Sequence, residues 1–391
     1  MLIERVEVRL LSLPMREAFG AAHGTVQRRE ITVVRMATDR GHGWGECAAL
    51  TEPTYSDEHA AGAFDVLAGT MLPRLVGQRC DPAGAARRLA DVPGNPMAKA
   101  AVEMALLDAA LRSTGRSLAS WLADSVLTDT APADTVLADT APADSGGAGP
   151  ASSVPAGAVV GLGAPAEVAD RAAELAAEGF GRVKIKIMPG HDREVVTAVK
   201  ARCPHLDLHA DANGSYGAAD LPLLASLGDD GLGALEQPFP PAEPGWAADL
   251  VAATSGSDLM VVADEAAVDL PAVQELHRRR ALRGVAVKPS RLAGLAAARE
   301  LHGWCRSAGL ALTAGGMVET GLGRHALAAL ASLPGFTVTG DVSPAGRWLA
   351  ADPWPDLAMA GGRIEVPTSP GVAPDPDPDV LARHTLRRVE L

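Results

Sequence analysis

V-K-I-K-I-M-P-G (183–190), H-A-D-A-N (209–213), A-L-E-Q-P-F (234–239), V-A-D-E-A (262–266) and V-A-V-K-P-S (285–290) share one pattern. In each, a short apolar run delivers a charged residue just before a Pro, Gly or polar turn. The charged positions are Lys186, Asp211, Glu236, Asp264 and Lys288, separated by 25, 25, 28 and 24 residues. One strand, one helix and two short loops take about that length in a repeated βα unit. Parallel strands are buried on both faces and read as continuous apolar runs. A charge on the last residue of such a strand therefore lies at the carboxyl edge of the sheet, where parallel α/β folds place their sites.

Five successive strands thus bring Lys, Asp, Glu, Asp and Lys to one rim. Asp211, Glu236 and Asp264 make a hard, all-oxygen donor set suited to a magnesium-like cation. Lys186 and Lys288 flank it as proton-transfer groups. A lone Asp after a strand is ordinarily a helix N-cap, but capping does not account for lysines at the same positions. Lys184 and Lys186 are two apart and face the same way. Two neighbouring ammonium groups would lower the pKa of one of them; the alternative is that Lys184 is the charge partner of a carboxylate. A cation on the three carboxylates would bind a substrate carboxylate and stabilise the enediolate left when the α-proton is removed. Lys186 would take that proton. Lys288 would either return one to the opposite face, giving a racemase or epimerase, or stabilise negative charge during a β-elimination, with Lys186 then protonating the departing hydroxide.

Outward from this block, strands are expected at 158–163 and 336–344 and a strand with a glycine-rich loop at 311–321, with helices at 165–178, 292–308 and 322–333. Eight parallel strands from 158 to 341 make a closed barrel, residues 158–345, rather than an open sheet. Residues 1–122 read as an α+β domain: strands at 2–13, 28–38 and 41–48, a small-residue loop at 17–25, and helices at 56–76, 82–91 and 97–113. The loop is either a surface turn or a mobile lid. Lys99, Glu103 and Asp108 read as surface charges or helix pairs. Residues 123–157 contain a ten-residue near-duplicate, V-L-T-D-T-A-P-A-D-T then V-L-A-D-T-A-P-A-D-S, and read as a low-complexity linker. The tail, 346–391, is Pro-rich, with a short strand near 363–366, and is expected to pack back on the first domain. The net charge of −13, with no basic block, argues against nucleic acid and anionic membranes. Four scattered cysteines without a CxxC pair argue against zinc and disulfides and fit a reducing cytoplasm. No run approaches the ~18 apolar residues of a membrane span.

With K-I-K (184–186), D-A-N (211–213), E-Q-P (236–238), D-E (264–265) and K-P-S-R (288–291) in this order, the chain resembles the enolase superfamily in its muconate-lactonizing-like branch. G-G-M-V-E-T-G-L-G-R (315–324), G-D-V-S (340–343), P-T-Y-S-D-E (53–58) and E-M-A-L-L-D (103–108) make it similar to the o-succinylbenzoate synthase and N-acylamino acid racemase group. The resemblance implies an α+β cap on a modified TIM barrel, (β/α)7β. It implies one Mg2+ on Asp211, Glu236 and Asp264, with Mn2+ as a substitute. Lys186 and Lys288 would be the acid/base pair, with Lys184 supporting Lys186, and Asn213 and Glu265 would stand behind the ligands. The loop at 19–25 would close over the substrate. Candidate substrate contacts are His23 in that loop, Arg291, Gly316, Met317, Glu319 and Ser343. The implied reaction is the dehydration that forms o-succinylbenzoate in menaquinone biosynthesis, with racemisation of N-succinylamino acids as the alternative. Either way the partner is a small carboxylate, and the family suggests a cytoplasmic homo-oligomer.

Overall fold

The computed structural model describes residues 1–21, 24–128 and 149–391. The first three strands, β1 (Ile3–Ala21), β2 (Gly24–Thr38) and β3 (Gly41–Cys47), form an antiparallel sheet. The expected loop at 17–25 is instead mostly the end of the β1–β2 hairpin, with Phe19 opposite Val26 and Ala21 opposite Gly24 beyond a register shift after Pro14. Small residues there read as a flexible loop, yet they satisfy the ladder equally well. Helices α1 (Ala60–Val66), α2 (Pro82–Arg88), α3 (Pro96–Thr114) and α4 (Leu118–Thr128) follow. The sheet packs on α3 because Gly43 and Gly45 carry no side chain: a Cβ on Gly43 would collide with the α3 main chain at Ala105 and Ala109, and one on Gly45 at Ala101 and Ala105. The segment expected as a linker begins inside α4 and ends in a short strand, β4 (Ser153–Pro155); most of the duplicated stretch lies outside the described residues.

Seven parallel strands then curl in sequence order: β5 (Gly157–Val160), β6 (Arg182–Lys186), β7 (Asp207–Asp211), β8 (Ala234–Glu236), β9 (Met260–Ala263), β10 (Gly284–Val287) and β11 (Ala311–Ala314). Between them run α5 (Pro165–Ala177), α6 (Arg193–Arg202), α7 (Leu221–Ser226), α8 (Pro244–Ala253), α9 (Leu270–Arg278) and α10 (Leu295–Ser307), and α11 (Gly321–Ala331) follows β11. Pro165 opens α5, and Gly179, at φ +105°, turns the chain out of it. The expected eighth strand at 336–344 is irregular. It still closes the barrel, through Val338 N to Leu312 O and Asp341 N to Ala314 O on one side and Gly157 N to Val342 O on the other. Gly340 and Gly157 permit this close seam, since a Cβ on either would meet backbone oxygen.

The tail is more ordered than its prolines suggest. A hairpin of β12 (Met359–Ala360) and β13 (Arg363–Glu365) pairs with β4. Helix α12 (Pro378–His384) leads to β14 (Thr385–Glu390), which pairs with β1 and completes a sheet of order β14-β1-β2-β3. Among the described residues no helix is long and apolar enough to cross a membrane.

Candidate active site

The strand register delivers the charges as a row. Lys186 is opposite Asp211, and Asp211 is opposite Glu236, each the last residue of its strand. Asp264 and Lys288 directly follow β9 and β10. Lys184 Nζ lies 2.9 Å from Glu236, 2.8 Å from Asp341 and 3.9 Å from Asp211. Lys186 Nζ donates to Asp211 at 2.7 Å and to Asn213 Oδ1 at 2.7 Å. Lys288 Nζ donates to Asp264 at 2.7 Å and to the Tyr55 hydroxyl at 3.2 Å, and sits 4.6 Å over the Tyr55 ring.

These contacts set the electrostatics. Burial alone would depress the Lys184 ammonium, but Asp341, Glu236 and Asp211 outweigh it and hold its pKa above the ordinary value. The expectation that crowded ammonium groups lower one of the pair thus fails for Lys184, because each lysine faces a carboxylate rather than its twin. Burial is likewise overcome at Lys288 by Asp264 and Tyr55, and its pKa lies well above the usual value. At Asp264 the desolvation that would raise the carboxyl is outweighed by Lys288 and Arg291, which hold it low. Glu236 is pushed up to about 8 by burial and, against the pull of Lys184, by its neighbours Asp211 and Asp264. Glu265 is pushed to about 7 by burial, Asp264 and Asp211.

Among the described residues no three His, Cys, Asp or Glu side chains converge as a ready-made metal-ligand set. Asp211 faces Lys186, Glu236 faces Lys184, and Asp264 faces Lys288 and Arg291. The donor chemistry nonetheless fits a hard divalent cation. Three buried carboxylates stand at adjacent strand ends, Glu236 and Glu265 are raised by burial and then by the carboxylates Asp211 and Asp264, and the buried Glu265 Oε2 has no hydrogen-bond partner among the described residues.

A cavity of about 1280 Å³, counting the solvent space at its mouth, opens above this floor. Lys184, Lys186, Lys288, Asp211, Asn213 and Asp341 line it at one end; Met15, Leu50, Val159, Met317, Val318 and Trp348 supply apolar wall. Of the candidate contacts, Gly316, Met317 and Ser343 line the cavity. Arg291 does not: it lies behind, bonded to Asp264, to the Tyr55 hydroxyl at 2.6 Å and to Ala286 O at 2.8 Å. Glu319 also turns away, accepting from Met317 N at 2.7 Å and facing Arg324 at 3.1 Å. Glu236, Asp264 and Glu265 lie beneath the floor, and His23 is outside the described residues.

Several groups were not singled out from sequence. Arg182 reaches Asp341 at 2.8 Å and His209 at 3.0 Å, extending the ion-pair chain downward. Gln237 Oε1 accepts from Asp264 N and Ala266 N, each at 3.0 Å, and so fixes the turn carrying Asp264. Gln237 and Asn213 both have left-handed backbones, φ +39° and +45°, a strain common at functional sites. Asn213 is already expected behind the ligands from the resemblance; the E-Q-P motif contains Gln237, but only the turn geometry shows what it does.

Two family models match: "Mandelate racemase / muconate lactonizing enzyme, N-terminal domain" over residues 5–122 and "Enolase C-terminal domain-like" over residues 167–380. An N-succinylamino acid racemase from Amycolatopsis sp is 35% identical over 392 residues, spanning 100% of this chain and 99% of that protein. An o-succinylbenzoate synthase from Bacillus subtilis (strain 168) is 31% identical over 391 residues, spanning 98% and 97%. A solved structure of an enolase superfamily member from Listeria innocua superimposes with a TM-score of 0.87 at 28% identity, covering 100% of this chain and 99% of that one.

Proposed function

The chain belongs to the enolase superfamily, whose members use a divalent metal ion, and on that premise we propose that it is an o-succinylbenzoate synthase, a lyase that dehydrates a succinyl-hydroxycyclohexadiene carboxylate. The observation that carries this reading is the inequality of the two lysines. Lys288 is clamped by Asp264, Tyr55 and the tyrosine ring, as a fixed cation should be, whereas Lys186 hangs on two partners at the cavity floor. Asp211, Glu236 and Asp264 would hold the ion, Mg2+ or Mn2+, which when bound would supply positive charge against the substrate carboxylate. Engaging Asp211 elsewhere frees Lys186 Nζ to take the proton from the carbon bearing the carboxylate. Lys288 offsets the developing negative charge. The neighbouring C–O bond then breaks, Lys186 returns its proton to the departing hydroxide as water, and the ring becomes aromatic. The substrate is a small carboxylate, and the protein acts in the cytoplasm as a homo-oligomer.

A second reading, racemisation of N-succinylamino acids, is favoured by one observation: both lysines line the same cavity, as transfer of a proton from one face to the other requires. With Mg2+ present, the diene substrate is followed by its absorbance and N-succinyl-L-amino acids by α-proton loss in D2O. On the synthase reading, Lys288→Arg keeps part of the dehydration and Lys186→Ala keeps none. Fast racemisation with feeble dehydration would replace the first reading by the second. No proton exchange with any substrate would remove both.

A further inference from the structure

Val318 is the one β-branched residue among the described residues with a left-handed backbone, φ +57°. Val and Ile clash with their own carbonyl there, so such a conformation persists only where its surroundings impose it. What surrounds it comes from the cap. Arg29 on β2 is 1% exposed and spends all five N–H groups on main-chain carbonyls. Nε donates to Val318 O at 3.2 Å and one terminal nitrogen to Met317 O at 3.4 Å. The rest go to Glu30 O at 2.7 Å, Ala49 O at 2.6 Å and Ala48 O at 2.7 Å within the cap. One turn further on, Glu46 of β3 accepts from Thr320 N at 3.3 Å and from the Thr320 hydroxyl. The barrel loop 317–320 is thus hung from the cap at two points, and Met317 and Val318 are cavity wall.

We propose that Arg29 is a positioning residue for substrate choice: its planar guanidinium holds the carbonyls of Met317 and Val318, and so forces Val318 into the strained conformation that shapes the wall against the part of the substrate the lysines do not touch. This rests on the carbon-acid function proposed above. The cap therefore sets selectivity through main-chain hydrogen bonds as well as through the side chains it contributes to the cavity. An ammonium cannot reproduce the five-donor fork, so Lys is no substitute.

The test has one arm that needs no activity. Val318→Gly relieves the strain, and its melting temperature is expected to equal or exceed that of the wild-type protein despite the lost side chain. In an Arg29→Met background, where the loop is released, the same change is expected to lower it. If Arg29→Met does not fold, Arg29→Lys takes its place. Equal effects of Val318→Gly in both backgrounds overturn the proposal. The second arm compares kcat/KM for N-succinylalanine and N-succinylphenylalanine by exchange in D2O. Val318→Gly and the Arg29 variant are expected to shift that ratio in the same direction by about tenfold or more, through KM rather than kcat. Glu103→Gln, which loosens the cap–barrel seam away from the cavity, is expected to leave the ratio alone. An unchanged ratio in the Arg29 variant, with only stability lost, makes Arg29 a structural residue and ends the proposal. A wild-type protein that exchanges neither compound removes only the racemase reading, since a dehydratase need not exchange them, and leaves the thermal cycle to judge Arg29.

Discussion

Gly315 marks how closely the reacting groups are fitted. A Cβ at this position would stand 2.7 Å from Lys288 Cε, so the glycine is the space the lysine occupies. Gly315→Ala is expected to displace the ammonium and cut turnover by about 100-fold, the usual result of a 1 Å misplacement, with the melting temperature nearly unchanged; turnover within a factor of two of wild type would show that Lys288 is not critically placed. Lys186→Ala is expected to reduce α-proton exchange by about 10²–10⁴-fold, the range of a lost general acid or base. The metal reading has its own check without turnover: Mg2+ should raise the melting temperature by mass action, and Asp211→Asn should abolish the rise. At this scale the sequence showed which side chains end strands. It did not show their partners, because Tyr55 is 233 residues from Lys288 and Asp341 is 157 from Lys184.

Elements in this chain are held together by carboxylates placed at other elements' ends. Glu103, read from sequence as a surface charge or helix pair, is buried and accepts from Leu295 N at 3.1 Å and Ala296 N at 3.0 Å, so α3 of the cap closes the N-terminus of α10 in the barrel. Glu58 does the same for α3, through Met97 N at 2.8 Å and Ala98 N at 3.0 Å. Asp108 does form a helix pair, with Arg112 at 2.9 Å, but it is wholly buried and also accepts from Trp44 N and Val372 N. Glu103→Ala leaves the buried Leu295 amide and the half-buried Ala296 amide without their acceptor and is expected to cost about 1–3 kcal/mol in denaturant unfolding, without changing the substrate ratio. A loss no larger than that of an exposed substitution would contradict the cross-domain cap. The helices themselves were legible from periodicity. Their capping from a distance was not, because a Glu in mid-helix looks the same whether it meets water or another helix.

For the whole molecule, the seam between cap and barrel is expected to respond to pH. Burial, offset in part by Thr320, raises the Glu46 carboxyl from 4.5 to about 8. A folded-state pKa above the unfolded one means the native state favours the protonated acid. Its contribution is full below about pH 4.5 and is lost as pH rises through about 8. The melting temperature is therefore expected to decline between pH 5 and 8.5, and Glu46→Gln should flatten that decline. An identical slope in the variant would show that Glu46 does not titrate there. Removing residues 385–391 deletes β14 and exposes the edge of β1, and is expected to lower the melting temperature and promote association through the open strand.

The sequence by itself determined the barrel and the row of charges at its rim, because a parallel strand buried on both faces tolerates a charged side chain only where it ends. Period and polarity are local properties, and Lys186, Asp211, Glu236, Asp264 and Lys288 could be read from them one strand at a time. Only the tertiary structure decided that Lys184 pairs with Asp341, that Arg291 backs Asp264 rather than facing the cavity, and that the eighth strand is an irregular seam. It alone showed that Arg29 grips the loop at Val318, 289 residues away. Those facts depend on which distant groups meet in a dry interior, where every donor must find an acceptor, and spacing along the chain does not encode that meeting.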